Sequence, residues 1–395
     1  MKKYCSIYLF FLALIISPLC ADAQNIGGGG GSNTSGQEGG GVINTAMPFL
    51  IISPDARSAA LGDMGAATSA DGASAFWNPG KFAFIDQDFA ASLSYTPWLG
   101  KITNDMSISY LSGFKKITRE QLISFSLTYF NMGSIDFVDD NGNQNLPQGR
   151  PRDYNIQVGY SRMLTQSSGI GVNLRYVRSN LGATPVNGDI QPAQTVAADV
   201  GYYYKKKFKK SLKKSDIAFG AVISNVGAKV TYLGEDQEQF IPTNLRLGSV
   251  YSFSLDPYNR LSFGLEFNKL LVPTPQRDST GIAIISDKNV VSGIFSSFTD
   301  APGGFGEEIS EIKVQASMEY WYREMFAARL GYQYEDPSKG NRTYMTLGVG
   351  FYYNVFGLDA AYLVPFTREN PLAETLRFTL SFEFNKNDNS NSIRD

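Results

Sequence analysis

The amino-acid sequence predicts an all-β protein: an antiparallel transmembrane β-barrel of about 14 strands with a small N-terminal helical hatch in its lumen. From about residue 88 onward, strand-length segments alternate apolar and polar residues, as in a sheet with one lipid-facing and one polar side. Short and long connections alternate between these segments, as in outer-membrane barrels. A segment typical of secretory signals comes first.

Residues 1–23 have the features of that signal: a positive start, an apolar core and an A-x-A cleavage site at 21–23. The apolar core is too short to cross a bilayer as a helix. Both cysteines, Cys5 and Cys20, lie in this segment, so we expect a mature chain without disulfides. The signal indicates export, and the barrel pattern indicates the cell outer membrane as the destination.

Four further segments follow. Residues 24–41 are rich in glycine and polar residues, which predicts a flexible tether. Residues 42–87 form the predicted hatch, 88–385 the barrel and 386–395 a polar C-terminal tail. The strand-like alternation therefore falls within a single segment.

Two short helical pieces are predicted in the hatch. Ser53 before Pro54 predicts a helix start, because the hydroxyl can cap free amides and proline suits the first helical position. Gly62 predicts the end of that helix. Asn78 before Pro79 is disfavoured from helical geometry and predicts the end of the second piece.

Fourteen segments have the length and alternation of strands. In the last of them, apolar residues occupy the even positions from 376 to 384 and polar residues the odd ones. The predicted strands are 88–97, 104–114, 120–131, 152–163, 169–179, 194–205, 215–225, 242–254, 258–269, 309–322, 325–335, 342–353, 355–364 and 373–385. An even number is typical of single-chain outer-membrane barrels.

Every second connection between these strands is long. The long connections lie near Trp98 and at 132–151, 180–193, 226–241, 270–308, 336–341 and 365–372. Since such barrels have short periplasmic turns and longer external loops, we expect the long connections outside the cell. A soluble β-propeller or β-sandwich would also have many strands, but the sequence has no blade-length repeat.

The composition argues against several functions. Lysine and arginine number 35, aspartate and glutamate 37, and histidine is absent. This near-neutral balance gives no signal for nucleic acid. Without histidine the chain lacks the usual general base and the commonest metal ligand. We therefore expect no enzyme, no catalytic or metal site and no cofactor.

The turn at 205–214 is the sharpest charge feature, with seven lysines in ten residues. The predicted topology places it in the periplasm. It could bind an acidic partner or anionic lipid headgroups. The alternative is a solvated turn that only keeps the chain soluble in transit.

The connection at 270–308 is longer than a simple hairpin needs, and loops of that length are usually functional or disordered. Its apolar stretches favour a folded external loop that docks a partner, supported by 132–151 and 226–241. The candidate docking residues are Pro273, Pro275, Phe295, Phe298 and Phe305.

Two hatch motifs resemble the PorV/PorQ branch of the FadL-like outer-membrane proteins: Asp55-Ala56-Arg57 with Leu61-Gly62-Asp63-Met64-Gly65, and Phe76-Trp77-Asn78-Pro79. The hatch-motif residues taken from the resemblance are Asp55, Arg57, Leu61, Gly62, Trp77, Asn78 and Pro79. The resemblance extends over the mature chain beyond the tether. One departure from the plain FadL pattern is Gly80 after Asn78-Pro79, where alanine is common.

The resemblance implies a non-enzymatic outer-membrane component of the type IX protein secretion system of Bacteroidota. Such a barrel is not itself the export channel. It is an adaptor or shuttle that binds the C-terminal signal domains of exported cargo at a giant outer-membrane translocon barrel. It then passes the cargo to a surface attachment complex that contains a sortase-like protease. The implied partners are these proteins and the lipid bilayer, with no nucleic acid.

The alternative function is that of a FadL-like transporter of hydrophobic small molecules, which needs a continuous apolar path. Polar residues on the predicted inner face, such as Arg175, Glu266 and Arg377, indicate a filled lumen instead. A lipid A deacylase is disfavoured because histidine is absent. In the hatch we expect Trp77 to be a packed anchor and Arg57 to pair with an unidentified lumen carboxylate.

Overall fold

The computed structural model describes residues 41–100, 103, 105–135, 148–182, 191–210, 213–232, 238–277, 283–284, 286–366 and 375–384. The predicted signal, all of the predicted tether except Gly41, and the polar tail lie outside the described residues. No described helix is long and apolar enough to cross a membrane.

Strands make up most of the described chain. They are β1 Phe89–Pro97, β2 Met106–Lys116, β3 Gln121–Met132, β4 Arg152–Thr165, β5 Ser168–Asn180, β6 Ala193–Lys210, β7 Lys213–Gly227, β8 Asn244–Ser254, β9 Asn259–Leu270, β10 Gln276–Arg277, β11 Ala283–Ile284, β12 Lys313–Tyr322, β13 Phe326–Tyr334, β14 Tyr344–Tyr353, β15 Phe356–Pro365 and β16 Leu376–Phe384. All but β10 and β11, which form a separate ribbon, belong to one sheet.

That sheet is a closed barrel of 14 strands. Each strand pairs antiparallel with its neighbours, β9 lies beside β12, and β1 pairs with β16 to complete the circle. Closure leaves no unpaired sheet edge, which is what a spanning sheet requires in lipid. The predicted fourteen-strand antiparallel barrel is confirmed, and the propeller and sandwich alternatives are excluded.

The barrel is apolar outside and polar inside. On β16, Phe378 and Leu380 are 44 % and 40 % exposed, whereas Arg377 and Thr379, which alternate with them, are buried. The same alternation recurs on β3, where Phe125 is exposed between buried serines. Soluble proteins bury apolar side chains, whereas this barrel exposes them on its outer surface, as a surface in contact with lipid requires. The alternation of apolar and polar residues in the sequence predicted this arrangement.

The connections alternate in length around the barrel. At one end, here named the loop end, they cover 98–105, 133–151, 181–192, 228–243, 271–312, 335–343 and 366–375. At the other, the turn end, they cover 117–120, 166–167, 211–212, 255–258, 323–325 and 354–355. The loop end therefore faces the cell exterior and the turn end the periplasm.

Among the described residues, four short α-helices are separate from the strands of the barrel wall. They are α1 Ala56–Ala60 and α2 Ser74–Trp77 in the hatch, and α3 Val290–Ser296 and α4 Phe305–Ser310 in the loop at 271–312. Short 3-10 helices occur at Pro48–Ile51, Pro79–Phe84 and Pro337–Lys339.

The hatch runs through the lumen from the loop end to the turn end. At its start the Ala46 amide donates to the Phe240 carbonyl at 2.9 Å, in the loop between β7 and β8. At its end the Asp88 amide donates to the Phe384 carbonyl at 3.1 Å, at the turn end of β16. The hatch therefore enters the barrel from the outer face and leaves at the periplasmic rim.

This path predicts an accessibility test. Asn44 is exposed at the outer face and Arg119 is exposed in a short turn. Because both native cysteines lie in the predicted signal, Asn44→Cys and Arg119→Cys would each provide a single thiol. In intact cells a membrane-impermeant maleimide should label the first and not the second, and both should react after permeabilisation. Labelling of Arg119→Cys alone in intact cells would indicate the opposite orientation, with the turn end outside the cell.

Candidate functional site

Asp55, not Ser53, caps helix α1. Its Oδ2 accepts from the Ser58 amide at 2.8 Å, and its Oδ1 accepts from the Trp77 indole nitrogen at 2.6 Å. The predicted cap at Ser53 is wrong, since its buried hydroxyl has no hydrogen-bond partner among the described residues. A carboxylate can accept from the helix and from the indole together, which one hydroxyl oxygen does less well. The predicted end at Gly62 is confirmed, with a φ of 73° directly after the cap residue Leu61.

Arg57 is the electrostatic centre of the hatch. It is buried, and its Nε donates to Glu319 Oε1 on β12 at 3.1 Å. Its Nη1 also donates to Asp71 Oδ2 at 2.8 Å, within the hatch. Glu319 further accepts from Arg329 Nε at 2.9 Å, and Arg329 pairs with Asp359 at 2.5 Å. Glu319 is thus the lumen carboxylate expected for Arg57, and it is shared with the wall.

Trp77 packs as an anchor in the lumen, as expected. Its side chain is 1 % exposed, and the Phe76 ring lies edge-on with a centroid separation of 5.0 Å. The Arg246 guanidinium of β8 lies 4.5 Å from the indole centroid, a cation–π contact. The indole therefore links α2 to α1 through Asp55 and to the wall through Arg246.

Asn78 and Pro79 hold the hatch against β6 and β5: the Asn78 side chain hydrogen-bonds to β6, and Pro79 lies so close to Gly171 of β5 that a Cβ there would overlap its carbonyl carbon. The Asn78 amide donates to the Ala66 carbonyl at 2.8 Å and to the Tyr202 carbonyl at 3.0 Å. Gly80 follows in a tight space, where a Cβ would lie 2.8 Å from the Gly201 carbonyl oxygen. This close approach accounts for glycine at position 80, because a side chain there would overlap the backbone of β6.

Wall glycines let the hatch backbone touch the strands. A Cβ at Gly331 would overlap the amide of Gly62, and one at Gly220 would overlap the carbonyl oxygen of Ala66. Leu61, also in the hatch motif, is buried beside Gly331. Small residues at these wall positions are therefore a requirement of hatch packing.

Gly220→Ala should destabilise the folded barrel by about 1–3 kcal/mol, the range for overpacking a filled interior. The temperature at which the compact gel band of the folded barrel disappears would report this. Gly306→Ala is the matched control, because a Cβ at Gly306 meets no atom within 4 Å. Equal melting temperatures for both variants would contradict close packing of hatch and wall.

A cluster of ion pairs, here named the outer latch, ties the loop end together. Lys269 Nζ contacts Glu308 Oε2 at 3.0 Å and Glu311 Oε2 at 2.6 Å. Lys339 Nζ contacts Glu311 Oε1 at 3.1 Å and donates to the Gly41 carbonyl at 3.1 Å. The latch therefore joins the end of β9, the loop at 271–312, the loop at 335–343 and Gly41, the last residue of the predicted tether.

A second ion cluster lies beside the latch. Glu335 contacts Lys313 at 3.0 Å and Arg342 at 2.8 Å. Burial opposes ionisation of the Glu335 carboxyl, but the Lys313 ammonium and Arg342 guanidinium outweigh burial and lower its pKa to about 2. The loop at 335–343 is consequently held by a carboxylate that stays charged well below neutral pH.

The latched loop presents an exposed apolar surface, here named the outer apolar surface. Its members are Val291 (63 % exposed), Phe295 (73 %), Phe298 (45 %), Phe305 (80 %) and Ile309 (52 %). They lie on α3, α4 and the link between them. Exposed side chains of this size, grouped on one loop, are typical of an interaction surface.

The candidate prolines occupy a different place from the phenylalanines. Pro273 is buried and lies close to Gly293 of α3, and Pro275 is half-buried. They shape the base of the loop, whereas Phe295, Phe298 and Phe305 point to solvent. Residues 136–147 and 233–237 of the two supporting loops lie outside the described residues.

A family model described as type IX secretion system protein PorV matches residues 35–277, more than half of the chain. The chain belongs to the PorV family. It is therefore an integral β-barrel of the outer membrane and a component of the type IX secretion system, and it associates with that machinery. No curated protein sequence matches the chain.

Several solved structures are similar to this PorV-family chain. The toluene transporter TodX of P. putida is 12 % identical, with a TM-score of 0.49, 85 % of this chain covered and 99 % of that chain. The toluene transporter TbuX of Ralstonia pickettii is 11 % identical, with a TM-score of 0.45 and the same coverage. A Pseudomonas aeruginosa FadL homologue is 10 % identical, with a TM-score of 0.41 and again 85 % and 99 % covered.

The hatch motif lies inside the range matched to the PorV family, and the outer apolar surface lies beyond it. Val291 and Ile309 were missed by sequence reasoning. Each is four residues from a candidate phenylalanine, Val291 before Phe295 and Ile309 after Phe305. That spacing places both members of a pair on one helix face and is the signal that would have identified them.

Proposed function

We propose that this PorV-family barrel is an adaptor that binds the C-terminal signal domains of exported proteins at the translocon barrel. It then passes them to the surface attachment complex that holds the sortase-like protease. The observation that carries the proposal is the outer apolar surface, displayed at the end of the barrel that faces the cell exterior.

The exposure of this surface supports a partner. Phe305 is 80 % exposed and Phe295 73 % exposed, and neither lies on a lipid-facing strand. Apolar side chains of this size gain by burial, about 25 cal/mol for each Å² removed from water. A protein that is secreted or anchored beside the barrel can supply that burial.

The latch supports a rigid presentation of the surface. Lys269 is held by Glu308 and Glu311, which flank the end of α4, and all three side chains are nearly buried. Such a base orders the loop before a partner arrives, which reduces the entropy lost on binding. The latched loop is therefore better suited to docking a partner than an untethered loop would be.

The lumen supports an adaptor rather than a conduit. The hatch crosses it from end to end, and a cleft beside the wall is lined by charged residues such as Arg260 and Glu319 as well as by apolar ones such as Val250, so its lining is not continuously apolar. A transporter of hydrophobic small molecules needs a continuous apolar path. Cargo would consequently be carried by the outer face and not through the barrel.

The test replaces residues 290–305 with a Gly/Ser segment of equal length, which removes α3 and Phe305 but keeps the latch carboxylates. The barrel should still assemble, because loops tolerate such changes when no strand is touched. Secreted cargo should accumulate in the periplasm, and uptake of hydrophobic small molecules should not change. Normal export with normal recovery of partners would exclude this loop as the docking surface.

A further inference from the structure

The hairpin of β6 and β7 extends past its neighbours at the turn end. The last pair between β6 and β5 is Tyr204 with Ser168, and the last pair between β7 and β8 is Ser215 with Phe253. Pairing of β6 with β7 continues to Lys210 and Lys213. At about 3.3 Å per residue, the tip stands roughly 20 Å beyond Tyr204 along the strand, toward the periplasm.

This tip carries a strong excess of positive charge. The sequence has seven lysines from 205 to 214 and no acidic residue in that span. Lys206, Lys207 and Lys214 are exposed, and no ion pair is described for them. Asp216, the acid nearest in sequence, pairs with Lys205 at 3.6 Å.

Part of the hairpin continues the lipid-facing wall. Even-numbered residues of β6 face outward, with Tyr202 and Phe208 both 43 % exposed, whereas Tyr203 is buried. Tyr204 contacts Phe219 of β7, with ring centroids 6.5 Å apart. Such rings gather at the boundary between acyl chains and headgroups, so Tyr204 marks that level on this side of the barrel.

Lys206 lies two residues beyond Tyr204 on the same outward face. Its Nζ lies 5.6 Å from the centroid of the Phe208 ring. A lysine just past the aromatic boundary lies at the depth of phosphate groups, and its stem can rest on apolar surface there. Phe208 beside it can enter the interface from the same side.

We propose that Lys206 binds the headgroups of anionic phospholipids in the periplasmic leaflet of the outer membrane, and that Lys207 and Lys214, on the opposite face of the hairpin, add to the positive potential there. The outward position of Lys206 and Phe208 favours lipid over an acidic protein, because both side chains continue the lipid-facing side of β6. The hairpin would bind anionic lipid on one side of the barrel, and this binding would fix the depth of the barrel in the membrane.

The test uses the purified full-length barrel in detergent with phosphatidylglycerol or phosphatidylcholine, and native mass spectrometry to count retained lipids. The wild-type barrel should retain phosphatidylglycerol in preference to phosphatidylcholine. The variant with Lys206→Gln, Lys207→Gln and Lys214→Gln should lose this preference, by about fivefold for each lysine at low salt. Because all three side chains are exposed, the compact gel band should be unchanged.

Lys115→Gln is the matched control, since Lys115 is an exposed lysine near the same end of β2. Because only one lysine is removed, the phosphatidylglycerol preference should fall by about fivefold at most, far less than in the triple variant. The proposal is overturned if the triple variant keeps the wild-type preference, if Lys115→Gln loses as much, or if the wild type does not discriminate between the two lipids. It is also overturned if an acidic protein, and not lipid, protects Lys214 from amine-reactive reagents in the native membrane.

Discussion

Glu319→Gln is expected to destabilise the folded barrel by about 3 kcal/mol. Removing one partner of a buried ion pair costs about 3–5 kcal/mol, because the remaining charge loses its compensation. Glu319 serves two buried guanidinium groups, those of Arg57 and Arg329. The lower end of the range applies, since Asp71 and Asp359 still neutralise them.

The urea concentration at which the purified barrel loses its compact gel band measures this effect. Glu120→Gln is the control, because Glu120 is exposed in a short turn and its loss should change the free energy of unfolding by less than about 0.5 kcal/mol. If the Glu319 variant unfolds at the same urea concentration as the control, the hatch is not held by this charge network.

Replacing Phe295 and Phe305 together with serine should abolish docking while the barrel remains folded. Exposed aromatic residues at the centre of an interface commonly contribute 2 kcal/mol or more each, so the pair predicts a loss of affinity of roughly a hundredfold or more. Both side chains are mostly exposed in the free barrel, so their loss should leave its stability nearly unchanged. The readouts are cargo at the cell surface and barrel abundance in the outer membrane.

Tyr258→Ser is the control for this pair. Tyr258 is 57 % exposed, but it lies in a short turn at the periplasmic end. Its replacement should leave cargo on the surface at the wild-type level. Equal secretion by the double variant and the control would contradict the proposed role of the outer apolar surface.

The barrel could be predicted from sequence because the bilayer imposes a local rule. In a strand between lipid and a polar lumen, apolar and polar residues must alternate with a period of two. A segment such as 376–384 therefore indicates both that it is a strand and which of its residues face the lipid. The alternation of short and long connections follows from the same topology. Strand bounds in the structure differ from the predicted bounds by up to five residues. The largest differences are at β6, which continues to Lys210 so that the predicted turn at 205–214 is mostly strand, and at β12, which begins at Lys313 and not at 309 because α4 occupies Phe305–Ser310.

The contacts of the hatch could not be predicted in the same way. Arg57 required a carboxylate, but Glu319 lies 262 residues away and is brought to it only by barrel closure and by the register of β12. The cap at Asp55 depends on the indole of Trp77, which is another tertiary contact. The Ser53 hydroxyl could have capped the helix, but Asp55 caps α1 instead, because its carboxylate accepts from both the Ser58 amide and the Trp77 indole.

The loop at 271–312 was likewise predictable as a folded element, but its contacts were not. Its length and apolar stretches predicted a folded external element, and α3 and α4 confirm that it is folded. Which side chains are exposed depended on packing, so Pro273 is buried while Val291 is 63 % exposed. The sequence pattern identified the region, and the contacts decided which residues it presents.

The most direct test of the adaptor places a photo-crosslinking amino acid at position 305 in cells that are actively secreting. The same group at position 258 is the control, since that position faces the periplasm. We predict that crosslinks from position 305 join the barrel to secreted cargo or to the translocon barrel, with none of these products from position 258. Absence of such products from position 305, in barrels that are assembled at the wild-type level, would contradict docking by the outer apolar surface.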